Sequence, residues 1–170
     1  MTHSSVRGRW AGMVLAAAVL ALFARGAPAG EAGRSAEDPL SDALVPQPGL
    51  SPGEVVRIQL EALRHNDEQD RGIEVAFRFA SPANRENTGP LPRFIRMIKQ
   101  GPYALMLGFR GASYGTVEVR EDRARQRVTL TGPRARVSYW FYLSRQSKAP
   151  CAGCWMTDAV FVEQVRGRTA

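Results

Sequence analysis

Residues 72 to 94 read GIEVAFRFASPANRENTGPLPRF, and the way this stretch breaks and resumes decides the fold. Ile73, Ala76, Phe77 and Ala80 fall on one face of a helix while Val75 and Phe79 add a second, so the segment predicts a helix buried on most sides. Pro82 has no backbone donor and disfavours a helical conformation at Ser81. The spacing therefore predicts that this helix ends or kinks there, leaving ASPANRENTG as a surface connection of residues that bond their own backbone. Thr88 is placed to cap a third helix, in which Leu91, Phe94, Ile95 and Ile98 recur at helical spacing until Gly101-Pro102 stops it.

Upstream, Ser51-Pro52-Gly53-Glu54 is a capping-box sequence with proline at the first helical position, and Leu50 is positioned to staple onto Val55. Val56, Leu60 and Leu63 continue the apolar stripe, widened by Val55 and Ala62, so a first helix is expected from Pro52 to about His65. Residues 30–49 are rich in Gly, Pro, Ala and Ser and lack apolar periodicity, which predicts a flexible linker ahead of the fold. Before them, Arg7 and Arg9 precede the apolar run Trp10 to Phe23, which ends at Ala27-Pro28-Ala29. That pattern predicts a signal peptide over residues 1–29, cleaved before Gly30, because the run is shorter than the roughly 20 residues that span a bilayer. The expected location is exported, periplasmic or extracellular, with no membrane span in the mature protein.

Cleavage would leave 170 − 29 = 141 residues, enough for one domain, expected over 50–167. The chain holds 23 Lys and Arg against 16 Asp and Glu, and three of the arginines lie in the leader, so the remainder carries 20 − 16 = +4. That mild charge, with Glu118, Glu121 and Asp122 interleaved among the arginines of 120–136, predicts a solvated sheet face rather than a nucleic-acid surface, with contact with an anionic envelope surface as the alternative.

Beyond Tyr103 the period changes from helical to alternating: Val117 and Val119, then Val128 and Leu130, then Val137 to Leu143, then Trp155 to Val165. Four antiparallel strands with short connections follow, while Tyr103 to Leu107 add a short strand or a turn. The fold class is α+β, with about three N-terminal helices packed on a curved antiparallel sheet of about four strands.

The words AFRFASPAN (76–84) and TGPL (88–91), with Phe94 and Met97, resemble the domain-of-unknown-function family 4864 over roughly residues 52 to 166. That family resembles the wider cystatin-like, nuclear transport factor two-like superfamily, in which a bent sheet and helices make a cone. The resemblance implies that fold without implying an activity, and related rolls suggest a homodimer through the open sheet face. In such a cone, Asn84, Arg85, Asn87 and Thr88 would stand near the mouth as ligand donors; the alternative is a corner whose Asn and Ser satisfy backbone groups.

Cys151-Ala152-Gly153-Cys154 lies between two strands rather than at the start of a helix, which favours a local disulfide over thioredoxin-like redox work, with free thiols as the other alternative. His65 is the one histidine outside the leader, so neither a tetrahedral metal site nor a nucleophile–base pair is supplied, and no cofactor is expected. Tyr139 to Tyr142 alternate between sheet faces, and Tyr139 and Tyr142 are candidate ligand contacts. Asp158 is the weak catalytic candidate. Alternation places it with Met156, Val160 and Val162, where enclosure would make it a base served by one of the two tyrosines; a hydrated or arginine-paired acid is the alternative. The expected function is an exported, non-enzymatic protein binding a small apolar molecule or an envelope partner. The alternatives are a proton-transfer enzyme of isomerase or hydratase type and a purely structural accessory protein.

Overall fold

The computed structural model describes residues 38–163. The expected signal peptide lies outside the described residues, as do residues 30–37 of the linker and the stretch after Glu163. The described chain is α+β, with four α-helices, one 3-10 helix and a four-stranded antiparallel sheet.

Helix α1 spans Pro52–Arg64 and opens as its sequence demands: Ser51 Oγ accepts from the Glu54 N–H, and a Glu54 carboxylate oxygen accepts from the Ser51 N–H at 2.8 Å. His65 caps its end, with its backbone N–H donating to Glu61 and Leu63 carbonyls. Helix α2, Arg71–Arg78, packs so closely on α1 that a side chain at Gly72 would meet the Ala62 carbonyl oxygen at 2.1 Å. Only glycine tolerates that approach. Lys99 of α4 (Leu91–Lys99) pairs with Asp70, just before α2, at 2.7 Å, and this partner holds the Asp70 carboxyl below its ordinary range.

The expectation of about three helices is corrected between α2 and α4. Residues Pro82–Thr88 form a further helix, α3, rather than an irregular connection. Pro82 does not break a helix here but starts one, because its missing N–H would be unsatisfied at the first position anyway, and the Ser81 hydroxyl caps the Asn84 N–H at 3.2 Å. Thr88 consequently closes α3 instead of capping α4; its hydroxyl donates back to the Asn84 carbonyl at 2.8 Å. Tyr103 to Leu107 fall within a 3-10 helix, Gly101–Leu107.

Strands β1 (Gly111–Arg120), β2 (Arg123–Thr131), β3 (Arg136–Arg145) and β4 (Trp155–Val162) pair in sequential order, each antiparallel to the next. Along β2 the exposed Arg123, Arg125 and Arg127 alternate with the buried Ala124, Gln126 and Val128, the period that a half-buried strand dictates. Buried Val128, Leu130, Tyr139, Phe141 and Leu143 join Val56, Leu60, Ile73, Phe79 and Phe94 in one core cluster. A parallel bridge ties the helical half to β4: Ser81 N–H donates to the Thr157 carbonyl and Thr157 N–H to the Phe79 carbonyl, both at 2.9 Å.

Residues 38–49 form turns without helix or strand. Leu44 packs against the core, Arg78 pairs with Asp42 at 3.1 Å, and the Pro46 carbonyl lies 3.4 Å from Cys151 Sγ. Among the described residues no helix is long and apolar enough to cross a membrane.

Candidate functional site

The β3–β4 pairing slips by one residue between Tyr142 and Leu143. Tyr142 stands opposite Ala159 and Leu143 opposite Thr157, so Asp158 is the extra residue of a β-bulge. This corrects the expected alternation: Thr157, not Asp158, precedes Val160 in the row that faces Leu143 and Phe141. Both Asp158 oxygens have partners. Oδ2 accepts from Arg123 Nη1 at 3.0 Å and Oδ1 from the Ser144 hydroxyl at 2.8 Å.

Beside the bulge lies a cavity of about 280 Å3. Its apolar wall comes from Leu63 of α1, Phe94, Met97 and Ile98 of α4, Met106 of the 3-10 helix and Phe141 of β3. Gln59, Asn84, Asn87, Thr88, Thr157 and Asp158 supply the polar atoms, and exposed Asn87 and Phe161 mark the rim. At the floor, buried Thr157 Oγ1 donates to Gln59 Oε1 at 2.6 Å, and Gln59 Nε2 donates to the Ala76 carbonyl at 2.9 Å. Asn84 Nδ2 donates to the Thr157 carbonyl at 2.9 Å. Thr157 thereby holds α1, α3 and the α2–α3 junction to β4 with its own side chain and backbone.

The expected site residues divide between locations. Asn84 and Asp158 line the cavity together with Asn87 and Thr88, whereas Arg85 does not. Tyr139 is fully buried in the core; it donates from Oη to the Pro102 carbonyl at 2.6 Å and stacks on Tyr103 with ring centroids 6.4 Å apart. Burial, reinforced by Tyr103, pushes its phenol up to about 12. Tyr142 is exposed and meets the Phe161 ring edge-on at 5.7 Å, on the sheet face opposite Phe141. The two tyrosines therefore do not converge on Asp158. The Cys151 and Cys154 sulfurs lie at bonding distance and their Cα atoms are 5.6 Å apart, within disulfide range. Among the described residues no group of three or more His, Cys, Asp or Glu could hold a metal ion.

Sequence periodicity missed Gln59, Met97, Tyr103, Met106 and Thr157 as wall residues. Gln59 had a signal: it stands four residues after Val55 and three before Ala62, a polar residue on a stripe otherwise apolar.

Residues 52–170 match the family described as Domain of unknown function (DUF4864). The chain belongs to this family. No curated protein and no solved structure matches it. Of the residues quoted for the resemblance, Ala76, Ala80, Asn84, Thr88, Phe94 and Met97 line the cavity. Asn84 and Thr88 stand one turn apart on α3, whereas Ala76 belongs to α2 and Ala80 to the bridge with Thr157.

Proposed function

We propose that this DUF4864 protein is an exported, non-catalytic binding module that holds a small apolar molecule in the cavity beside β4. Helices and a curved sheet would enclose that cavity as in a cystatin-like cone. The supporting observation is the lining: a mostly apolar, aromatic- and methionine-bearing wall with a few convergent polar groups, the composition of small-molecule sites. Its volume of about 280 Å3 lies just below the roughly 300–1,000 Å3 typical of such sites. Methionines at two wall positions suit a ligand of irregular shape, since the thioether side chain adapts readily.

Export draws support from the Arg-flanked leader and from a cysteine pair within disulfide range, which an oxidising compartment would keep closed. A non-catalytic role draws support from Asp158, whose two oxygens are taken up by Arg123 and Ser144 instead of facing the cavity free. Native mass spectrometry of protein purified from its own envelope tests the proposal. A mass increment that disappears on organic extraction is expected; a bare chain mass, joined by failure to take up any apolar compound, would contradict it.

A further inference from the structure

The cavity shares Asn84, Asn87 and Asp158 with a second, polar cleft, which continues along the other side of Asp158. This cleft is lined by Arg123, Ser144, Gln146, Ser147 and Lys148. An apolar chamber thus lies beside a more polar one, with Asn84, Asn87 and Asp158 in the lining of both. The charges of the second chamber are two cations, Arg123 and Lys148, against one carboxylate, Asp158. Arg123 spends a single N–H on Asp158, leaving the rest of its guanidinium fork available. Lys148 is exposed and has no ion-pair partner among the described residues. Asn87, on the shared wall, is also exposed, and its side-chain amide forms no hydrogen bond among the described residues.

We infer that the ligand is a single-chain anionic amphiphile, its apolar tail in the chamber lined by Phe94, Met97 and Met106 and its anionic head in the cleft between Arg123 and Lys148. This inference rests on the proposed apolar binding and adds the chemical class of the ligand. A neutral head would leave the surplus positive charge of the cleft unused. A cationic head would meet Lys148 and Arg123 with only the already occupied Asp158 in its favour. A head bearing a carboxylate or a phosphate has cationic donors in Lys148 and the free edge of Arg123, and an amide donor in Asn87, all in the lining of this cleft. Such charge-assisted bonds are the strong ones, and Arg offers a planar fork to either oxyanion.

The test is isothermal titration calorimetry of the purified protein with decanoate, decyl phosphate, decanol and decylamine, which share a tail and differ in the head. One or both anions should bind about tenfold more tightly than decanol, the scale of one charge-assisted bond. The better of decanoate and decyl phosphate identifies a fatty-acid-like or a phospholipid-like head. Lys148→Glu should lower the anion-to-alcohol affinity ratio by about fivefold, and added salt should compress it, because the head group sits among exposed charges. Equal binding of all four compounds would overturn the anionic class, and a tenfold ratio unmoved by Lys148→Glu would overturn the seat of the head group beside Lys148, each leaving apolar binding intact. Binding by none of the four would overturn both.

Discussion

Thr157 Oγ1 donates a 2.6 Å hydrogen bond to Gln59 Oε1, joining β4 to α1 beneath the cavity with both side chains buried. The Gln59 amide nitrogen is engaged by the Ala76 carbonyl, so its oxygen has no freedom to turn toward another donor. Burying an acceptor without a partner costs about 1–3 kcal/mol. Thr157→Val should therefore destabilise the fold by roughly that amount, measured by urea unfolding. Adding Gln59→Leu to Thr157→Val should cost less than the sum of the two single changes, because it removes the orphaned oxygen as well. Additive losses would show that the two residues are not coupled.

Tyr139 sets an alkaline limit to stability. Its phenol is raised from 10.0 to about 12 by burial and by neighbouring Tyr103, so the folded state holds the proton more tightly than the unfolded chain does. The stabilisation is full below pH 10 and is lost as pH climbs through about 12. Thermal scans from pH 9 to 12 should show a falling midpoint, less steep in Tyr139→Phe. That variant should be somewhat less stable than the parent at neutral pH, where it lacks the bond to the Pro102 carbonyl. Parallel curves would assign the alkaline loss to other groups.

Much of the fold was legible because its signals are local and periodic. The α1 cap, its apolar stripe and the four strands follow from spacing alone. Helix α3 did not, although Ser81-Pro82 repeats the Ser51-Pro52 arrangement of a capping serine followed by proline. The difference is burial. Helix α3 has no buried residue, so it offers no apolar period to detect, and the proline reads as a stop. The site was half legible. Asn84 and Asp158 line the cavity, but a one-residue bulge at Asp158 exchanges the faces that strict alternation assigns. Nothing in the letters Met-Thr-Asp-Ala-Val marks that slip. Tyr142 is opposite Phe141 in facing for the plain reason that neighbours on a strand point apart, whereas the depth of Tyr139 depends on Tyr103 and Pro102, contributed by the 3-10 helix.

The cysteine pair should behave as a local brace rather than a redox centre. Cys154 is fully buried, and the loop carrying it closes back on β3 through Gln146, whose backbone N–H donates to the Cys154 carbonyl at 2.8 Å. Thiol titration of the denatured, unreduced protein should find no free thiol. Replacing Cys151 and Cys154 by serine should cost at most about 2 kcal/mol, since so short a loop restrains the unfolded chain little. Insulin reduction at the rate of a dedicated oxidoreductase, lost in the double variant, would contradict a structural role.

Apolar binding beside β4 is tested most directly by titrating the protein with the neutral fluorophore N-phenyl-1-naphthylamine and repeating the titration on Met97→Trp. Met97 lines the cavity and is only partly buried, so tryptophan there fills the chamber with little disturbance of the core. Saturable one-to-one binding, weakened by about tenfold or more in Met97→Trp while its circular dichroism stays native, is the expected result. Binding that never saturates, or that is equally tight in the folded Met97→Trp protein, would contradict a ligand site in this cavity.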